Sequence, residues 1–206
     1  MTCTAAYVLI DSMETHTTTL LPPRTVLHVG CGIKKDDKLP QAYMVSPWQE
    51  VRLDIDPEVT PDIVGDIRDM HMIEDCSFDA VFSSHNLEHL YFHEVETALR
   101  EFHRVLKIGG EVLIACPDLQ QVAKLILEDK LMKPVATPSS GPIAPIDMLY
   151  GYRSSLANGN HFMAHKTGFT TTSLTQMLAA AGFEDVRSTN QPPPLMDILA
   201  LAFKRA

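Results

Sequence analysis

Apolar positions along this chain fall into short β-rich runs separated by helical stripes. Residues 25–29, Thr25-Val26-Leu27-His28-Val29, form a compact run closed by Gly30-Cys31-Gly32, the pattern of a buried strand entering a tight glycine turn. Residues 51–55 form a second run, stopped by Asp56-Pro57, and Ile63-Val64 before Gly65-Asp66 a short third. Residues 78–83 are a fourth; residues 111–116, opened by Gly109-Gly110 and stopped by Pro117, are a fifth; residues 198–203 are the last. Between them, residues 92–106 place Val95, Leu99, Phe102, Val105 and Leu106 on one stripe, which predicts an amphipathic helix. Asp118 can cap a following helix that buries Leu119, Val122, Leu125 and Ile126. A further helix over 172–181 ends at Gly182, where a left-handed C-cap wants glycine.

Strands alternating with helices predict an α/β fold, a parallel sheet covered on both faces. Such sheets bind ligands beyond the carboxyl ends of their strands. Gly30, Gly32, Asp54, Asp66, Ser84, His85, Pro117 and Asp118 all fall at those ends. Two stretches depart from the pattern. Residues 33–47 are polar and contain Pro40 and Pro47, so the helix expected there is short or replaced by a loop. Residues 128–166 are rich in Pro, Gly and Ser, with one helical candidate at 146–156. The expected organisation is an N-terminal extension over 1–23 and one domain over 24–206. A lid-like insertion at about 128–169 folds over the ligand face of that domain.

The glycine turn is the first candidate site. Glycine permits positive φ and close approach of backbone to ligand. Asp54, 24 residues after Gly30 and at the end of the next strand, can accept hydrogen bonds from two ribose hydroxyls. Asp66 can accept one from an adenine amino group, with Ile55 and Ile67 packing on the ring faces. A dinucleotide fingerprint needs a third glycine opening a helix that receives a pyrophosphate, and Lys35 stands at that place. The turn therefore suits a nucleoside without a pyrophosphate.

Composition narrows the class. With 45% apolar and 21% charged residues the chain can close a core, which excludes a disordered chain, a collagen and a coiled coil. No apolar run approaches the roughly 18 residues of a membrane span, and the N-terminus lacks the pattern of a signal peptide. The four cysteines form no CxxC pair, and all four are expected to be reduced thiols in a cytoplasmic protein. Of the net charge of -9, residues 54–79 carry -8, nine acids against Arg68. No basic footprint for nucleic acid is visible.

The segments Val26-Leu27-His28-Val29-Gly30-Cys31-Gly32, Leu53-Asp54-Ile55-Asp56-Pro57 and Gly65-Asp66-Ile67 resemble class I S-adenosylmethionine-dependent methyltransferases of the broad type 11 kind. So do residues 77–90, Arg104-Val105-Leu106-Lys107-Ile108-Gly109-Gly110, and Ala181-Gly182-Phe183, which fits the run into a sixth strand. The resemblance covers residues 24–127 and 166–204. It implies a Rossmann-like, mostly parallel seven-stranded sheet with helices on both faces and one antiparallel strand at 198–203. It implies S-adenosyl-L-methionine as cofactor and S-adenosyl-L-homocysteine as product. Gly30, Cys31 and Gly32 would line the methionine and ribose, with Cys31 filling space as a small residue. Asp54 would hold the ribose hydroxyls, Asp66 and the Ile67 amide the adenine. Ser84 and His85 would lie near the sulfonium. The resemblance leaves the acceptor open between a small molecule and a protein side chain.

His85-Asn86-Leu87-Glu88-His89 reads as HxxEH, a zinc-protease pattern, here set inside the methyltransferase pattern. Some ubiquinone-biosynthesis and small-RNA O-methyltransferases, which this stretch resembles, bind a divalent cation through a Glu followed by Glu-His at the same spacing. Here His85 replaces the first Glu, and His161 or His165 can complete such a set. Glu-His is also common here in metal-free relatives, and no metal is assigned from the sequence. His85 and His165 are the candidate general bases. His28 is expected to be a satisfied core histidine. Residues 159–169 read as a substrate lid or as a connector, and Tyr150, Tyr152 and Arg153 as possible parts of an acceptor pocket. Three functions remain: a methyltransferase, a non-catalytic binding or regulatory module of the same fold, and a divalent-metal-dependent O-methyltransferase.

Overall fold

The structure, a computed structural model, describes residues 23–35, 38–45, 47–138 and 141–206. The expected extension over 1–23 therefore lies outside the described residues, Pro23 apart. The strands are β1 (Arg24–Val29), β2 (Trp48–Asp54), β3 (Ile63–Val64), β4 (Phe78–Ser84), β5 (Leu106–Pro117), β6 (Glu184–Asn190) and β7 (Asp197–Phe203). They form one sheet in the order β3-β2-β1-β4-β5-β7-β6. β1 pairs in parallel with β2 and β4, β2 with β3, and β4 with β5. β7 runs antiparallel to both β5 and β6. The strand order reverses at β1, so the carboxyl ends of β1, β2 and β4 open on one cleft.

The pleat sends alternate side chains to opposite faces. Leu27, Val29 and Val81 join the larger core under α2 (Phe92–Val105) and α6 (Thr171–Ala180), with Leu99, Phe102, Leu174 and Leu178 completely buried. Each such side chain contributes about 1.5–3 kcal/mol on leaving water, so this face carries most of the hydrophobic stabilisation. Val26, Ala80 and Phe82 face the other way, against Tyr43 of α1 (Gln41–Met44). That helix has four residues, in line with the polar, proline-bearing sequence before it.

Other elements follow local chemistry. Asp118, buried, caps α3 (Leu119–Leu127) by accepting from Gln120 N at 2.9 Å. Thr170 caps α6 through Ser173 N, and Gly182, at φ +99°, ends it. The insertion departs from the single helix expected at 146–156. It forms α4 (Pro145–Tyr150) and α5 (Arg153–Ala157), broken at Gly151. Gly151 has φ +98°, and a Cβ there would lie 1.9 Å from Met163 O, so the chain turns where a continuous helix cannot pass.

Cys31 and Cys116 are free and buried. Cys76 is disulfide-bonded, which corrects the expectation of four reduced thiols. Pairing depends on which segments fold side by side, and linear spacing does not disclose that. Among the described residues, no helix is long and apolar enough to cross a membrane.

Candidate active site

The turn after β1 is held by backbone and side chain alike. Gly30 and Gly32 both have positive φ, +61° and +56°. Cys31 N donates to Leu53 O at 3.2 Å, and Gly32 N donates to Asp54 Oδ2 at 2.7 Å. Asp54 Oδ1 accepts from Asp56 N at 3.0 Å. The carboxylate thus faces the glycine turn, and each oxygen keeps a lone pair for a further donor. Arg52, almost wholly buried, donates to Gly32 O at 2.5 Å and to Thr60 O at 2.8 Å, tying the turn to the loop after β2. Lys38 Nζ donates to Cys31 O at 2.9 Å. Cys31 itself is buried, and burial pushes its thiol up to about 11, as befits a space-filling side chain.

Asp66 lies beyond β3 and is gripped by Arg68, whose Nε reaches Oδ1 at 2.9 Å and whose Nη2 reaches Oδ2 at 2.5 Å. The guanidinium hydrogen bonds hold the Asp66 carboxyl below its ordinary range. Arg68 also pairs with Glu94. Ile55 is half exposed and can face a nucleobase, whereas Ile67 is packed into the main core. That corrects the expectation that both isoleucines pack on the ring. Ile67 faces the hydrophobic interior, so only its amide is left for a base.

The end of β4 brings together a second set of groups. Ser83 is fully buried, and Ser84 is half-buried at the strand's end. His85 has φ +47°. Its Nδ1 lies 3.5 Å from Glu88 Oε1 and its Nε2 lies 3.3 Å from Asp197 Oδ2. Burial favours the neutral ring, but the carboxylates of Asp197 and Glu88 outweigh it and hold His85 up at about 10. An imidazolium has no lone pair with which to take a proton. The two carboxylates thus favour the charged ring, which suits His85 less well to the general-base role expected from sequence.

His165 fits that role better. Its Nδ1 lies 2.9 Å from Met148 O, a carbonyl that can only accept, so Nδ1 carries the hydrogen and Nε2 the lone pair. Burial lowers its pKa, against the pull of Glu88. His89 stacks edge-on to His165 at 5.0 Å between centroids. Its Nδ1 lies 3.1 Å from Ala164 O and its Nε2 lies 3.1 Å from His85 O. Glu88 is 1% exposed, and neither of its carboxylate oxygens has a hydrogen-bond partner. One ligand atom each from Glu88, His89 and His165 lie within 4.8 Å of one another. Lys166 N and Thr167 N donate to Glu88 O at 2.8 and 3.2 Å, strapping the end of the insertion to this turn.

Other candidates serve structure. His28 is buried and paired with Glu50 at 2.7 Å. Arg153 is committed to the buried Asp147 at 2.6 Å. Sequence reasoning missed Lys38, Arg52, Arg68, Asn86 and Asp197. Asp197 comes from the first residue of β7 and has no linear signal relating it to His85.

Residues 27–114 match the family described as "Methyltransferase domain". No curated protein sequence matches the chain. Among solved structures, the chain is similar to a 1,6-didemethyltoxoflavin-N1-methyltransferase of Burkholderia thailandensis, bound to 1,6-didemethyltoxoflavin and S-adenosylhomocysteine. The identity is 20%, the match covers 89% of this chain and 72% of that one, and the TM-score is 0.57. A SAM-dependent methyltransferase from Methanosarcina mazei matches at 16% identity over 95% and 99% of the two chains, with a TM-score of 0.58. Another, from Archaeoglobus fulgidus, matches at 16% identity over 88% and 86%, with a TM-score of 0.55. These likenesses establish the fold, and the profile match covers the segment that carries the glycine turn, Asp54, Asp66 and the end of β4. Residues 27–114 thus match a methyltransferase-domain family, and the chain shares the fold of the S-adenosylmethionine-dependent methyltransferases to which it is similar.

Proposed function

We propose that the cleft at the carboxyl ends of β1, β2 and β4 holds S-adenosylmethionine and that its methyl passes to a small-molecule or protein nucleophile under the insertion. The observation that carries this reading is Asp54, whose carboxylate faces the glycine turn at 2.7 Å from Gly32 N. Bound S-adenosylmethionine supplies an electrophilic methyl on a sulfonium, and in-line transfer requires mainly alignment of the acceptor. The chain's part is to hold the ribose at Asp54, the adenine beside Ile55 and Asp66, and the acceptor beside His165. Where that acceptor is an O–H or N–H group, His165 Nε2 takes the proton.

Calorimetric titration with S-adenosylhomocysteine tests this. The wild-type chain is expected to bind it and Asp54→Ala to lose binding. The melting temperature of the free variant is measured alongside, because the substitution also removes the bond to Gly32 N. No heat and no thermal shift with the wild type would overturn the reading.

A second reading, a divalent-metal-dependent O-methyltransferase, is favoured by the buried Glu88 carboxylate, whose oxygens meet His85 Nδ1 only at 3.5 Å and accept no hydrogen bond, beside His89 and His165. One carboxylate and two imidazoles suit a borderline cation such as Zn²⁺, which would have to draw a His89 nitrogen away from Ala164 O or His85 O, each at 3.1 Å. The hydrogen bond from His165 Nδ1 to Met148 O is the kind of outer contact that aims a histidine at a metal. Such an ion would polarise an acceptor oxygen. Elemental analysis of the purified chain decides. About one equivalent of metal, lost in Glu88→Gln, supports this reading, and a metal-free, chelator-insensitive enzyme overturns it.

A further inference from the structure

The methyl donor carries a carboxylate as well as a sulfonium, an ammonium and a nucleoside, and no residue assigned so far answers that anion. In a doubly wound sheet the usual answer is the N-terminus of the helix after β1, with its free amides and positive dipole end. That answer is missing here, because α1 has four residues and begins only at Gln41.

What stands over the turn instead is an ammonium. Lys38 Nζ lies 2.9 Å from Cys31 O and 2.7 Å from the position a Cβ on Gly32 would take. Burial lowers the Lys38 pKa, so this charge has given up part of its water. Its one hydrogen bond among the described residues, to Cys31 O, uses one of three hydrogens.

The other glycine shows the same arrangement. A Cβ on Gly30 would lie 2.4 Å from Asn86 Cγ and 2.8 Å from Asn86 Nδ2, and that nitrogen is buried without a hydrogen-bond partner. Leaving a buried amide donor unpaired is unfavourable, a cost that an arriving acceptor would remove. At both glycines of the turn a polar side chain of this chain takes the space of a Cβ, Asn86 with its Oδ1 at 2.5 Å and Nδ2 at 2.8 Å, and both Lys38 Nζ and Asn86 Nδ2 have hydrogens to give.

We infer that Lys38, assisted by Asn86 Nδ2, binds the carboxylate of the donor's methionine moiety, a point charge standing in for the missing helix terminus. The inference rests on the S-adenosylmethionine reading above and names the partner of one group of that ligand. It predicts discrimination between S-adenosylhomocysteine and 5′-methylthioadenosine, which share the nucleoside and thioether but differ in the amino-acid tail.

The test is calorimetry of both ligands against the wild type, Lys38→Met and Lys38→Arg. Lys38→Met is expected to weaken S-adenosylhomocysteine by roughly ten- to a hundred-fold, the worth of a charged hydrogen bond. Its affinity for 5′-methylthioadenosine should stay within about twofold of wild type, which also certifies that the variant is folded. Lys38→Arg should keep most of the preference for the longer ligand. The inference is overturned if Lys38→Met leaves S-adenosylhomocysteine unchanged or weakens both ligands alike. It is equally overturned if both bind more tightly, since the ammonium would then be a plug that ligands displace. A wild type that binds 5′-methylthioadenosine but shows no preference for S-adenosylhomocysteine defeats this inference alone. A wild type that binds neither defeats the cofactor reading itself.

Discussion

Gly30 and Gly159 have similar left-handed backbones, φ +61° and +86°, yet stand in different surroundings. A Cβ on Gly159 would meet nothing within 4 Å, whereas one on Gly30 would meet the Asn86 carboxamide at 2.4 Å. Alanine at either position carries the left-handed penalty of roughly 1–2 kcal/mol. Only Gly30→Ala must also displace Asn86. Chemical denaturation of the two variants should therefore show Gly30→Ala less stable than Gly159→Ala by a further 1–3 kcal/mol or so. Equal losses would mean that Asn86 moves aside freely. This contrast marks the limit of what was legible in the sequence at this scale. Glycine after a strand announces a permissive backbone, and Asp54 at the next strand end announces an acceptor. Neither announces Asn86, Lys38 or Arg52, because what fills the space beside a glycine is set by folding and not by spacing.

Elements show the same division. The stripe of α2, the Asp118 cap of α3 and the Gly182 stop of α6 were readable because periodicity and capping are local. The break between α4 and α5 was not, since it follows from the Met163 carbonyl passing close to Gly151. The two short helices are clasped by Asp147, which accepts from Ala144 N at 2.8 Å and from Arg153 Nε at 2.6 Å. Burial pushes the Asp147 carboxyl up, but the bonds from Arg153 and Ala144 prevail and leave it below its ordinary 3.8. A carboxyl depressed in the folded chain contributes stability that is present above the unfolded value and lost as pH falls through the folded one. The clasp should thus be intact at pH 5 and above, and should open only where the pH falls below the ordinary 3.8 and through the depressed folded value. At neutral pH, Asp147→Asn removes the charge while keeping the shape. Limited proteolysis within residues 141–163 should then run roughly tenfold faster than in the wild type. An unchanged cleavage rate would show that packing, and not the clasp, holds the insertion.

At the scale of the whole molecule, the sheet order brings together groups that are far apart in sequence. The turn after β1, Asp54 at the end of β2 and His85 after β4 lie on one rim because these strands are parallel neighbours. Antiparallel β7 enters the same rim from its other direction, so that its first residue, Asp197, reaches His85 at 3.3 Å. The parallel part of this arrangement was legible from alternation, while the Asp197 contact required knowing that β7 inserts between β5 and β6. The topology makes a spatial prediction about the free energy of binding. A ligand present at a hundred times its Kd stabilises the folded chain by about 2.7 kcal/mol. Only segments that open independently of global unfolding report where the ligand sits. Hydrogen exchange with and without S-adenosylhomocysteine should therefore slow most at residues 30–34, 54–56 and 66–68, and at the turn over 84–90. The ends of the insertion that strap to Glu88 should slow with them. β6, at the far edge of the sheet, should change only by the global increment. Protection concentrated on β6, or spread evenly over all segments, would place the ligand elsewhere and separate this rim from cofactor binding.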